Sequence, residues 1–270
     1  MAGGRSEPDR SGGAALTTIA TLALTTFALG VVLGFIGAGG AGLVVALLTS
    51  LFRLPIHEAI GTALAAMCFV TVAGAASHYR EGNVSPRVGV TAGVSGVIGA
   101  ILGASFGQNV SAALLKPAAG LALWALAAMV WPRTRVTARV MAAHDPAAAV
   151  PVERQTATAI GLGLSGGAAS AFFGVGMAPY LQLGFLTALK LPLRQTIGTT
   201  MLTLVFISVS GASVLATTGA VSVPHLVGTV AGLSAGSFVG ARFTRRAPRR
   251  VLRGSVVAAP VIAGAMLLFV

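Results

Sequence analysis

Two glycine-rich stretches inside apolar segments are the residues of this sequence best suited to a chemical role. They lie at 37–42 and 174–179, and both are flanked by hydrophobic residues. Glycine permits the turns that interrupt a helix and lets a ligand approach the backbone closely. A helix that restarts after such a break presents unpaired N–H groups and its positive dipole end, which bind anions without a charged side chain. The candidate binding residues are Gly37, Gly39, Gly40, Gly42, Gly174, Gly176 and Met177. The alternative is that these glycines only permit close helix packing.

Threonines beside two further glycines form a second candidate set. Thr62 follows Gly61, and Thr199 follows Gly198 with Thr200 next to it. Their hydroxyl groups could donate hydrogen bonds to a bound oxyanion. The alternative is that each hydroxyl bonds the carbonyl four residues earlier in its own helix, as is common for threonine in membrane helices.

A third, weaker candidate is the pair His78 and Arg80, at the end of an apolar segment. These residues could attract an anion to an inner vestibule, but a solvated interfacial turn explains them better. The other histidines are isolated, and no metal-ligand cluster, nucleophile–base pair or nucleotide motif is present. The sequence therefore predicts no metal, no cofactor and no enzymatic activity.

The composition indicates that these candidates lie in a membrane protein. Of the 270 residues, 55% are hydrophobic and only 9% are charged. Several apolar runs reach about 20 residues, enough to cross the hydrocarbon core as a helix. The net charge of +12 comes from residues between apolar runs, where they set topology rather than bind nucleic acid.

The chain consists of two homologous halves that are offset by 137 residues. Residues 34–64 align with residues 171–201 without a gap, which pairs the two glycine stretches and the two Ile-Gly-Thr sequences. We therefore predict a disordered tail (1–13), a first transmembrane repeat (14–131), a basic cytoplasmic linker (132–155) and a second repeat (156–270).

The leading apolar segment of each half is too long for one crossing. Residues 14–52 and 156–189 would each form a helix of roughly 50 Å, so a break or re-entrant hairpin is expected. If both segments enter and return, 14 of the 18 Lys and Arg residues become cytoplasmic, as the positive-inside rule requires. This predicts an all-α polytopic protein of two inverted repeats, each with a re-entrant leading hairpin and three transmembrane helices, with both termini outside.

The duplicated pattern resembles the TauE/SafE sulfite exporter family, also called the four-toluene-sulfonate uptake permease family. The residues that carry the resemblance are Gly-x-Gly-Gly at 37–40, Ala-Ile-Gly-Thr-Ala-Leu at 59–64 and Arg-x-Gly-x-Val at 80–84. The resemblance implies a secondary transporter in the cell membrane that moves sulfite or organosulfonates. Met177 stands where this pattern has a glycine, so the first glycine stretch is the stronger candidate site.

These observations predict an exporter that works by alternating access, with its anion site at the broken helices near the membrane midplane. The expected partners are a small sulfur-containing anion and the lipid bilayer. Two alternatives remain at this stage. One is an anion channel, and the other is a membrane scaffold or accessory subunit without transport of its own.

Overall fold

All regular secondary structure in the described part of the chain is helical. The computed structural model describes residues 10–36, 40–142, 151–244 and 249–269, and these residues form ten α-helices and no β-strand. The helices are α1 (Arg10–Ile36), α2 (Ala41–Ser50), α3 (Ile56–Arg80), α4 (Pro86–Gln108), α5 (Ala112–Ala142), α6 (Val152–Phe173), α7 (Ala178–Thr187), α8 (Leu193–Thr217), α9 (Val223–Thr244) and α10 (Arg249–Phe269).

Five helices are long and apolar enough to cross a membrane. They are α3, α4, α6, α8 and the part of α5 from Ala112 to Met129, with mean hydropathies between 1.2 and 1.9. Shorter apolar stretches lie within α1, α2, α9 and α10. The chain is therefore a multi-pass, all-α membrane protein.

The 137-residue offset reappears in the helix boundaries. Helices α7 and α8 begin and end 137 residues after α2 and α3, respectively. The long leading segment is interrupted in the second half, where α6 ends at Phe173 and α7 begins at Ala178. Helix α1 begins at Arg10 and α5 extends to Ala142, so both helices run into the segments predicted as tail and linker.

The two halves exchange their packing partners. Helix α1 packs along α9, and its counterpart α6 packs along α4, which is the counterpart of α9. The short helices α2 and α7 contact α10 and α5 in the same reciprocal way. Each leading helix therefore packs mainly against the other half of the chain.

Glycines bring these exchanged helices into backbone contact. A methyl group at Gly99 of α4 would overlap the carbonyl oxygen of Leu164 on α6, and one at Gly236 of α9 would overlap that of Phe27 on α1. Gly103 meets Ala168 in the same way. Small residues allow such close approach between membrane helices.

Helices α3 and α8, which are repeat counterparts, run antiparallel where they touch. Leu64 of α3 lies beside Gly211 of α8, whereas Gly74 lies beside Met201, so residue numbers rise along one helix as they fall along the other. Between these contacts, Thr71 Oγ1 and its counterpart Ser208 Oγ are 3.4 Å apart. Equivalent residues therefore meet at the centre of the crossing.

Helices α5 and α10 are the second pair of counterparts that cross in opposite directions. Gly120 of α5 contacts Leu268 of α10, and the indole N–H of Trp124 donates to the carbonyl of Val261, 3.1 Å away. In contrast, α4 runs parallel to α8, since Gly89 and Gly93 lie beside Leu202 and Phe206. These contacts give the relative directions of α3, α4 and α8 and those of α5 and α10.

Candidate functional site

The break between α6 and α7 has a backbone that glycine makes possible. Gly174 has φ 67° and ψ 13°, and Gly176 has φ 59°, both in the left-handed region that residues with a Cβ rarely adopt. All residues from Gly174 to Ala178 are buried. A non-helical segment at membrane depth is tolerated when protein surrounds it or when it lines a polar cavity.

Helix α7 begins at this break without a side-chain cap. Met177 is the N-cap residue and makes no side-chain hydrogen bond, and Leu181 N is the first amide to bond back, to Met177 O at 2.9 Å. The first N–H groups of a helix have no partner within it. Pro179 lies in the first turn, where its missing N–H costs nothing. The start of α7 is therefore a set of backbone donors at a positive dipole end.

The first glycine stretch forms the equivalent helix start in the other half. Gly40 is the N-cap of α2, also without a side-chain cap, and its carbonyl accepts from Leu43 N at 3.0 Å. Gly42 is buried, and its Cα lies against the side chain of Leu123 on α5. Gly37 and Gly39 lie outside the described residues.

The second break meets the start of α2. A methyl group at Gly176 would lie 2.8 Å from Cβ of Ala41 and 3.3 Å from Sδ of Met67 on α3. Gly174 packs against Ile60 of α3 in the same way. The structure thus brings the second break, the N-terminus of the first short helix and the inner part of α3 together.

Thr62 and Thr199 occupy equivalent positions at opposite ends of the antiparallel pair α3 and α8. Thr62 Oγ1 accepts from the backbone N–H of Ser222 at 3.0 Å, and Thr199 Oγ1 accepts from that of Ser85 at 2.9 Å. Each hydroxyl therefore binds the loop that precedes α9 or α4 in the other half. Thr200 Oγ1 bonds the Thr196 carbonyl of its own helix at 2.8 Å.

The glycines before these threonines complete the same contact. A methyl group at Gly61 would overlap the carbonyl oxygen of Ala220, and one at Gly198 would overlap that of Asn83. In each Gly-Thr pair, the glycine thus leaves room for a backbone carbonyl of the other half. The threonine hydroxyl accepts the N–H of the residue two positions after that carbonyl. We call the two contacts, Gly61–Thr62 with 220–222 and Gly198–Thr199 with 83–85, the inter-repeat clasps.

A comparison with known protein families identifies the family of this chain. The model of the family "Sulfite exporter TauE/SafE" matches residues 22–267, which is nearly the whole chain. The chain belongs to the TauE/SafE sulfite exporter family. The resemblance noted from the sequence is thereby confirmed.

Curated relatives agree that this TauE/SafE protein is a membrane transporter. It is 40% identical over 247 residues to the "Probable membrane transporter protein YdhB" of Bacillus subtilis (strain 168), covering 91% of this chain and 98% of that protein. It is also 30% identical over 188 residues to a "Probable membrane transporter protein" of Xylella fastidiosa in two strains, covering 69% of this chain and 68% of each relative. No solved structure matches the chain.

His78, one of the two candidate vestibule residues of this TauE/SafE protein, lies at one inter-repeat clasp. His78 is half-buried next to Gly198, and its Nδ1 is buried without a hydrogen-bond partner. Arg80 is exposed at the end of α3. The counterpart of His78 in the other half is Leu215, which is buried. The two clasps therefore differ in polarity.

His78 of this TauE/SafE protein was a candidate from the sequence, but three other residues with buried polar atoms, Gln108, Gln182 and Thr229, were not. Side-chain atoms that are buried without a hydrogen-bond partner occur in His78, Gln108, Gln182 and Thr229. A glutamine within an apolar helix could have been noticed because burying an amide is costly. Among the described residues, no three His, Cys, Asp or Glu side chains form a group that could hold a metal ion.

Proposed function

We propose that this protein is a secondary transporter that exports small sulfur-containing anions, such as sulfite or organosulfonates, across the plasma membrane. The observation that carries the proposal is the buried break at 174–177, where the uncapped start of α7 lies next to the start of α2. Helix N-termini supply donors and positive potential to an anion without a buried cation. The candidate contact residues are the glycines of both stretches, Met177 and the predicted threonines Thr62, Thr199 and Thr200.

We further propose that the two halves, 14–131 and 156–270, are inverted repeats joined by a cytoplasmic linker. The antiparallel crossings of α3 with α8 and of α5 with α10 support this arrangement, because each pair consists of repeat counterparts. With both termini outside, 14 of the 18 basic residues face the cytoplasm. Inverted repeats with broken helices are typical of transporters that alternate access around a midplane site.

The proposed direction of transport follows from the membrane potential. A negative interior favours the exit of an anion by about 2.3 kcal/mol per charge per 100 mV. Export therefore needs no dedicated coupling residue. A site made of backbone N–H groups also fits this role, since it binds the anion without the strong ion pair that a buried arginine would form.

Sulfite flux into proteoliposomes that contain the purified protein tests this function. Saturable flux that sulfate and chloride inhibit only weakly is expected. Flux that grows linearly with sulfite concentration would instead indicate a channel. No flux from protein that elutes as a folded, monodisperse species would overturn the transport proposal and favour a scaffold role.

A further inference from the structure

One polar side chain on the short helix α7 has no partner. Gln182 Nε2 is buried and forms no hydrogen bond. A buried amide without a partner is destabilising, and most buried polar side-chain atoms in proteins are hydrogen-bonded. The protein therefore retains at this position a donor that its own structure does not use.

Gln182 lies on α7 close to the break. It lies four residues after Ala178 and thus on the same face of the helix, one turn further on. Helical side chains lean toward the N-terminus and cover the preceding turn. Helix geometry therefore places the Gln182 side chain along the uncapped first turn of α7, the turn that follows Gly174–Met177.

The face of α7 that carries Gln182 is largely buried. Gln182 is partly accessible, whereas the residues that flank it on the same helical face are buried; these are Ala178, Phe185, Leu186 and Leu189. The face of α7 that packs on α6 is a different one, formed by Leu181 against Gly166 and by Gly184 against Leu162. The buried Nε2 of Gln182 thus lies on a face of α7 that differs from the one packed on α6.

The first half has no equivalent of this donor. The repeat counterpart of Gln182 is Val45 on α2, which is fully buried. Met177, which stands where the first stretch has a glycine, favoured the first stretch as the stronger site. At the position of Gln182 and Val45, however, only the second short helix carries a side-chain donor. The asymmetry between the halves therefore favours the break at 174–177.

We infer that Gln182 is a substrate-binding residue of the second break. Its amide N–H groups donate to an oxygen of the bound sulfite or sulfonate, next to the backbone N–H groups of Ala178 and Tyr180. The amide is neutral, so it adds a hydrogen bond and specificity for an oxyanion without adding charge. This inference rests on the proposed transport function and deepens it.

The test is sulfite flux by Gln182→Met in proteoliposomes, together with the thermal stability of the same purified variant. Methionine keeps an unbranched chain of similar length but removes the donor. We expect KM for sulfite to rise about tenfold, since a hydrogen bond to an anion is lost. We also expect the melting temperature without substrate to rise, because an unpartnered buried amide is removed.

Gln195→Met is the matched control. Gln195 is partly exposed in the first turn of α8, and its amide is not among the buried groups without a partner. This control should keep the unmodified KM. A normal KM for Gln182→Met, or equal losses in both variants, would overturn the role of Gln182 while leaving transport intact. Absence of flux from the unmodified protein would instead overturn the transport proposal, and this inference with it.

Discussion

At the residue scale, the Gly-Thr pairs show what a local sequence motif can predict about a residue's role and what it cannot. The repetition of the pair predicted that Thr62 and Thr199 are important, but the two chemical roles considered were an oxyanion donor and a bond within the helix. The structure places each hydroxyl against the backbone of the other half. Their partners lie 160 and 114 residues away, so no pattern near the threonine could predict them.

Removing a clasp hydroxyl should destabilise the protein. Thr199→Val keeps the side-chain shape but leaves the N–H of Ser85 without its acceptor, so we expect a loss of roughly 1–3 kcal/mol in unfolding free energy. Thr199→Ser should restore most of it. The measurement is thermal or denaturant unfolding in detergent micelles.

Thr200→Val is the control for this loss. Thr200 is equally buried, but its hydroxyl bonds only a carbonyl of its own helix. Its replacement should therefore cost clearly less than that of Thr199. Equal costs at both positions would contradict the assignment of Thr199 to the clasp.

Gln182 illustrates the opposite case, a residue that repeat analysis overlooks. The alignment of the halves emphasises positions that agree, whereas Gln182 aligns with Val45 and so carries no signal from duplication. Its meaning appears only with burial and with the missing hydrogen bond. Asymmetry within a duplicated protein is thus informative when the structure supplies the environment.

At the scale of elements, the break in the second leading segment was predictable because length and glycine content both require it. A helix of more than 30 residues exceeds one crossing, and the break lies at 174–177, within the predicted stretch. The packing of the leading helices was not predictable, because apolar helices in a membrane have no hydrophobic pattern that selects a partner.

Glycine substitutions in α4 and α6 should separate packing from helix propensity. Gly99→Ala places a methyl group on the Leu164 carbonyl, so α4 and α6 must move apart. The unfolding free energy should fall by about 1–3 kcal/mol, the usual cost of overpacking. Gly161→Ala meets no atom within 4 Å and should raise stability by about 0.5–1 kcal/mol. Unfolding in micelles measures both, and a neutral Gly99→Ala would contradict the close contact.

At the scale of the whole molecule, charge and helix direction are two independent arguments for the proposed inverted repeats. The positive-inside rule used only the positions of Lys and Arg, whereas the antiparallel crossings come from contacts between Leu64, Gly211, Gly74 and Met201. The charge distribution could not predict which half of the chain each helix contacts. Each loop lies on the same side of the membrane whether a helix packs against its own half or against the other half.

Equivalent loops of the two halves should lie on opposite sides of the membrane. Glu81 and Thr218 are exposed counterparts, 137 residues apart, in the α3–α4 and α8–α9 loops. In a Cys68→Ala background, an impermeant maleimide should label Thr218→Cys in intact cells and Glu81→Cys only after permeabilisation. Labelling of both from one side would overturn the inversion, and the reverse pattern would overturn the orientation.

The exchanged packing of the leading helices bears on how the protein is made. Thr26 of α1 hydrogen-bonds the carbonyl of Gly228 on α9, 202 residues further along the chain. During synthesis, α1 therefore leaves the ribosome long before α9 is made. Until then, the surface of α1 that packs on α9 contacts lipid or the insertion machinery. It follows that assembly cannot proceed half by half. The last helices to be inserted complete the environment of the first.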